Sequence, residues 1–296
     1  MGRLANSWSV FKQSLGVLKK DKELAVLPVF SGIASLLIMA TFFFPAQFSG
    51  LLERAAQENP IDENARYTVY ALAFVVYLVL SFITIYFQAA LISGAMERLS
   101  GGDPTVGSSL RGANKHLGKI FLWSLFAATV SLLIHVIEEA LRRAGSRFAA
   151  SIIGSILGTA WALLTFFVIP VLLFEEKGTF SSLGRSGQLF KQRWGESLVG
   201  HFGVGFIVGV FTMLGFLAAM GLAFVSFNAG LAPVALGFLI LGVLWILFMS
   251  IMGQALGGIY KAALYKFAKN GEVVPYFAPE AIRGAYQPRY AAAGRV

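Results

Sequence analysis

The chain has 296 residues, of which 57% are hydrophobic and only 13% charged, with Lys and Arg outnumbering Asp and Glu by 24 to 15. A mean hydropathy of +0.71 lies far from the soluble norm of roughly half apolar and a quarter charged residues, which excludes a soluble enzyme, a disordered chain and a collagen-like fibre. The surplus of nine positive charges would suggest nucleic acid in a soluble protein; in this composition it belongs at a membrane surface instead, and no nucleic-acid partner is expected.

The complete lack of cysteine removes disulfides, thiolate metal sites and thiol chemistry. More than twenty polar or amphipathic residues precede the first apolar run, which is longer than the apolar core of a signal peptide, so that run is expected to stay in the membrane. Apolar stretches able to cross a hydrocarbon core of about 30 Å fall at 25–44, 67–96, 119–137, 151–174, 199–226 and 232–260. The second and sixth exceed what a crossing needs, which predicts tilt or projection beyond the bilayer. None alternates apolar and polar residues as barrel strands do, so the fold expected is an all-α bundle of six transmembrane helices.

Distributing cations over the loops orients the bundle. Placing the amino terminus inside leaves only Arg54, Arg66, Arg142, Arg143 and Arg147 outside and nineteen of the 24 Lys and Arg inside. Both termini are therefore expected in the cytoplasm of a multi-pass cell-membrane protein. In the third loop, Glu138 precedes Arg142 and Glu139 precedes Arg143 by four residues, the favourable order for helical pairing, so the third span is expected to continue as helix until Gly145. The alternative for this loop is an external anion site built on Arg142, Arg143 and Arg147.

The chain also repeats itself. Ser7 to Gly16 reads SWSVFKQSLG and Ser186 to Gly195 reads SGQLFKQRWG, identical at five positions. Leu4, Trp8, Phe11 and Leu15 match Leu183, Gly187, Phe190 and Trp194, and a third copy runs Leu110, Asn114, Leu117, Phe121. Steps of four, three and four place these positions on one stripe of a helix, with Lys12, Lys115, Lys191, Arg185 and Arg193 beside it. The reading is three tandem units over approximately 1–100, 101–178 and 179–270, each an amphipathic cytoplasmic helix followed by a transmembrane hairpin, with a cytoplasmic tail over 271–296. Aromatic rings flanked by cations suit the headgroup region, so Trp8, Phe11, Lys12, Phe190, Lys191, Arg193 and Trp194 form the candidate lipid interface.

Val168 to Glu176, Ser182 to Gly195, the closing Ala263 to Val273 and an opening that runs Ser7-Trp8 through Asp21-Lys22-Glu23-Leu24 to Pro28-Val29-Phe30-Ser31-Gly32 are similar to the DUF6159 family of uncharacterised polytopic membrane proteins. The resemblance covers nearly the whole chain; it implies six spans and supplies no catalytic or ligand residue. A looser similarity joins it to the membrane portions of some glycerophosphodiester phosphodiesterases, but their catalytic barrel has no counterpart in these residues.

Polar residues inside spans are costly and draw attention to function. Gln88 and Gln254 are the candidate intramembrane polar pair, either lining a pocket or sharing an interhelical hydrogen bond. His135, Glu138 and Glu139 share part of a helix face, a spacing open to a divalent metal or to a solvated interface; no metal site and no cofactor are expected. Glycines at four-residue spacing, Gly154 with Gly158, Gly205 with Gly209 and Gly253 with Gly257, suit close helix packing, whereas gating helices with Pro170 as a hinge are the alternative. No Gly-x-Ser-x-Gly, His-Glu-x-x-His or paired intramembrane aspartates occur, so no enzymatic role is expected. The function expected is lipid binding or membrane organisation as an accessory or scaffold, with membrane lipids and a protein partner or second copy as partners. The alternative is a transporter or permease subunit for a small or amphiphilic substrate lined by Gln88 and Gln254.

Overall fold

A computed structural model describes residues 3–56, 63–194, 204–271 and 273–279. Among the described residues the chain is helical, without strands: α1 (Arg3–Lys20), α2 (Glu23–Phe48), α3 (Leu51–Ala56), α4 (Glu63–Leu99), α5 (Val106–Asn114), α6 (Leu117–Arg143), α7 (Arg147–Thr165), α8 (Val168–Phe174), α9 (Thr179–Trp194), α10 (Val204–Asn228) and α11 (Ala232–Asn270). Six segments are long and apolar enough to cross a membrane: α2, α4, α6, α7 with α8, α10 and α11. They coincide with the six apolar runs of the sequence. At 1.5 Å per residue the 37 residues of α4 and the 39 of α11 reach about 55 to 60 Å, well beyond a hydrocarbon core.

Helix α6 runs to Arg143 and stops at Gly145, whose φ of +87° suits a residue without a Cβ. The pairs anticipated along it are present: Arg142 Nη2 donates to Glu138 Oε1 and Arg143 Nε to Glu139 Oε1, each at 2.9 Å. The third copy of the amphipathic stripe differs from expectation. A turn at Lys115 and His116 ends α5 and starts α6, so Leu117 and Phe121 belong to the spanning helix and not to the helix before it. His116 donates its backbone N–H to the Ala113 carbonyl at 2.9 Å, a tightened bond that closes the shorter helix.

The chain divides into two compact units. The first draws on Met1–Pro28, Leu91–Ser109 and Leu189–Val296, the second on Val29–Ala90 and Leu110–Gln188, so their limits cut across the three repeat boundaries. In the first unit α10 and α11 form an antiparallel hairpin, and α1 packs against both. The indole of Trp245 lies over Gly215 and donates to the Phe211 carbonyl at 3.1 Å. A Cβ at Gly215 would meet that ring at 2.0 Å, so only glycine lets α10 and α11 approach this closely. The core of this unit collects where α4 and α11 leave their apolar stretches: Leu91, Ile92, Ala95 and Leu99 are buried with Leu256, Ile259, Leu264 and Tyr265. Leu91 fills the space above Gly258, which has no room for a side chain. After α11, Val274 and Phe277 are buried, the Ala278 N–H donates to Gln13 Oε1 of α1, and Lys20 Nζ lies 4.7 Å from the Tyr276 ring centre. Residues 273–279 thus pack onto α1, at the start of what the sequence marks as a tail.

The second unit is built around α6 and α7, which pair as a hairpin, with α8 against α6. Trp123 and Phe126 of α6 meet Trp161 of α7, and Phe126 also meets Phe180 of α9. Every residue of α8 from Val168 to Leu173 is buried, as expected of a helix apolar on all sides. The break between α7 and α8 has a definite cause. Pro170 lacks an N–H and its ring crowds the carbonyl four residues earlier, Phe166, so the helix parts at Phe166 and Phe167.

Candidate functional site

The candidate interface residues Trp8, Phe11, Lys12, Phe190 and Lys191 all fall within the first unit. Along α1 the fully buried positions are Ser7, Val10, Ser14, Val17 and Leu18. They form a stripe displaced by about one residue from the aromatic one, so the aromatic stripe flanks the core of the unit without filling it. Trp8 remains 39% exposed and Phe11 half-buried. The two rings stack with centroids 5.4 Å apart and planes 12° from parallel. Both also stack on Phe211 of α10, at 6.2 and 6.4 Å. Lys12 Nζ sits 5.3 Å from the Trp8 ring centre, close enough for a cation–π contact while its ammonium stays exposed.

Phe211 is the member that sequence reasoning missed. Nothing distinguishes it from the other phenylalanines of an apolar span, since only tertiary packing brings it under Trp8 and Phe11. In α9, Phe190 is half-buried and Lys191 exposed, while Leu189 and Ser186 are buried. The side chains of Arg193 and Trp194 lie outside the described residues, as does that of Leu4. In the register read from the sequence, Ser186 falls opposite Ser7 and Ala113; all three are small and at least 96% buried. A small buried residue is a feature common to the three copies that a search for apolar stripes passes over.

The glutamines do not behave alike. Gln88 is half-buried in the second unit, whereas Gln254 is exposed in the first. In each helix continuous burial begins at the next residue, with Ala89 and Ala90 after Gln88 and Ala255 and Leu256 after Gln254, whereas only the small Ala65 in α4 and Ala235 and Gly242 in α11 are buried before them. The glutamines therefore mark where packing starts.

A different feature lies at membrane depth in the second unit. Tyr77, Leu80, Ser81, Thr84 and Ile85 of α4 and Ala127, Ala128 and Ser131 of α6 border an open groove of about 370 Å³. Its walls are mainly apolar, with four hydroxyl-bearing side chains among them. Neither glutamine lines it.

The polar ends of the helices are fastened by ion pairs. In the first unit Arg98, at the end of α4, grips Asp21 with two hydrogen bonds and Asp103 with a third. Asp21 is 2% exposed, so its charge is supported almost entirely by this guanidinium. Lys266 of α11 donates to the Leu99 carbonyl at 3.0 Å and to Ser100 Oγ at 3.1 Å, closing the same corner. In the second unit Arg185 Nε donates to Glu175 Oε2 at 3.0 Å. Burial, with help from Lys119 and Lys115 and against the opposing pull of Glu176, holds His116 below the usual histidine range. Among the described residues no three His, Asp or Glu side chains gather as a metal site. The Glu138 and Glu139 carboxylates are engaged by Arg142 and Arg143 and not by His135.

A family model described as a family of unknown function, DUF6159, matches residues 67–274. The chain belongs to this family. The match takes in nearly all of α4 and then α5 to α11, and leaves α1, α2 and α3 outside, a narrower reach than the near full-length resemblance read from the residues. No curated protein matches the chain. With its six apolar helices of membrane length this is a membrane-spanning helical protein, and DUF6159 membership assigns it no activity.

Proposed function

We propose that this DUF6159 protein is a non-enzymatic membrane component that binds lipid or organises a membrane partner, gripping the cytoplasmic leaflet through α1 and α9. The observation that carries this reading is the half-exposed stack of Trp8 and Phe11 with Lys12 beside it, anchored on Phe211. Indole and phenyl rings suit the headgroup boundary, and neighbouring cations add about 1 kcal/mol each toward an anionic leaflet. Three tandem units, each opened by such a helix, are part of the same proposal, supported by the shared burial of Ser7, Ala113 and Ser186. The inward-positive orientation of both termini rests on the distribution of cations.

The double variant W8A/K12Q tests it. Both side chains reach solvent, so folding should persist while anionic lipid retained through gentle extraction falls. Native mass spectrometry from lipid nanodiscs reads the retained lipid and any stoichiometric protein partner together. Unchanged lipid and unchanged partner would reject the role of α1.

One observation favours the competing class of a transporter or permease subunit: the hydroxyl-bearing groove between α4 and α6 offers an amphiphile both apolar walls and hydrogen bonds. The groove is open and neither glutamine lines it, which supports a lipid chain lodged there more than a route across the bilayer. Ser81→Leu with Ser131→Leu would fill it; loss of a transported solute in proteoliposomes would then favour the permease reading.

A further inference from the structure

We propose that the α6–α7 turn of the second unit is a headgroup site for an anionic phospholipid, held by its phosphodiester between Arg147 and Arg142. Glu138, Arg142, Arg147 and Ser151 border a cavity of about 500 Å³ at this turn. Four polar side chains facing one opening are unusual beside helices whose neighbouring surface is apolar. The electrostatics set the sign of the occupant. Arg142 is held by Glu138 at 2.9 Å and approached by Glu139 at 3.7 Å, and Arg143 is taken by Glu139. Arg147 makes no ion pair among the described residues and is exposed. Two carboxylates against three guanidiniums thus leave one positive charge in excess, located at Arg147, the complement of one phosphodiester anion.

The neighbouring groups reinforce this. Ser151 lies one turn after Arg147 on α7 and offers a hydroxyl on the same face. Ser146, at the helix start, makes no side-chain cap, which leaves the first-turn amides of α7 for solvent or an anion. Glu138 lies directly over Gly154, where a Cβ would come within 3.0 Å of its carboxylate, so the wall that positions Arg142 is fixed by close packing of α6 on α7. Guanidiniums match phosphate oxygens in pairs, and that geometry gives affinity beyond simple attraction.

The surroundings identify the source of the phosphate as a lipid and not a soluble metabolite. Phe148 is 79% exposed immediately beside Arg147, and Ile152, Ile156, Leu133 and Val136 expose their side chains along the same hairpin. A cationic cavity bordered by exposed apolar surface receives a headgroup and its acyl chains together; a free phosphate would leave that surface uncovered. This site shares the lipid-binding character of the proposed function but involves none of the α1 or α9 residues, so either can fail without the other.

The test uses the full chain in nanodiscs of phosphatidylcholine carrying a minor fraction of phosphatidylglycerol, with bound lipid counted by native mass spectrometry. Arg147→Gln should lower phosphatidylglycerol affinity about tenfold, the loss expected for a charge-assisted hydrogen bond, and Ser151→Asp should abolish binding by placing a carboxylate in the cavity. Arg143→Gln removes the same charge from the neighbouring turn but lies outside the cavity, so it should leave affinity within twofold. Equal losses in the Arg143 and Arg147 variants would reduce the effect to general attraction and overturn the site, as would wild-type binding by Arg147→Gln. Inorganic phosphate should not compete at millimolar concentration; if it displaces the lipid fully, the lipid assignment is wrong. W8A/K12Q should retain this binding, which separates failure of the α1 interface from failure here.

Discussion

The backbone N–H of Phe167 donates to the Ser186 hydroxyl at 3.0 Å, joining the break after α7 to the middle of α9. Both groups are buried, and the N–H turns to Ser186 where the helix parts ahead of Pro170. Ser186→Ala should therefore leave a buried donor unsatisfied and cost about 1 to 3 kcal/mol in thermal unfolding. Pro170→Ala restores the lost helix donor; combined with Ser186→Ala it should recover part of the deficit. A strictly additive double variant would show that the hydroxyl stabilises something other than the break.

The Asp21–Arg98 pair should behave as a buried charge system. Arg98→Gln leaves the enclosed Asp21 without its partner and should lower stability by about 3 kcal/mol, because a buried charge is stranded. Asp103, with 90% of its side chain exposed, also bonds Arg98, yet Asp103→Asn should cost less than about 1 kcal/mol. Fluorescence-detected size-exclusion after heating ranks the two variants, and equal losses would contradict the burial argument.

Close packing distinguishes glycines that share the same helix. Gly215→Ala would drive a Cβ into the Trp245 ring and should destabilise the α10–α11 hairpin by about 1 to 3 kcal/mol. Gly209→Ala, with open space beside it, should be neutral or slightly stabilising. Melting temperatures in one detergent decide the comparison.

His116 makes stability depend on pH in a stated direction. Its native pKa is held below the usual 6.5, so the folded state favours neutral imidazole. The associated stability is fully present above pH 6.5 and is lost as the pH falls through the native value, where the unfolded chain already binds the proton. His116→Gln should flatten this fall between pH 7.5 and 5.5. A wild-type profile matched by the variant would assign the dependence to other groups.

The six spans were legible because lipid imposes a length and a composition on any helix that crosses it, and those constraints appear residue by residue. The Glu138–Arg142 and Glu139–Arg143 pairs were legible for a similar reason, since both partners lie on one helix. Long-range partners left no such trace. Phe211 beneath Trp8, Ser186 at Phe167 and Asp21 in the grip of Arg98 join segments 19 to 203 residues apart, and a single sequence does not carry that correspondence. Four-residue glycine spacing was also a poor guide. Gly205, Gly209, Gly158 and Gly257 have open space beside them, Gly154 and Gly253 of the same pairs lie close to Glu138 and Val208, and Gly94, Gly215 and Gly258, outside those pairs, are tighter still. Close approach depends on what faces a glycine, and spacing along one helix says nothing of that.

The distribution of burial along α11 has a further consequence. From Leu256 onward most of its side chains meet protein, while Leu236, Leu239, Ile240, Leu244 and Leu247 have protein on too few sides to cover them. For that stretch the bilayer is effectively the remaining wall of the fold. Replacing phospholipid with a small micelle exchanges that wall without touching the protein-packed end, so amide exchange in α11 should split into a solvent-sensitive and an insensitive half. A protein arranged in this way registers the thickness and softness of its host membrane through one continuous helix, whose far end is clasped by Lys266 to the turn after α4.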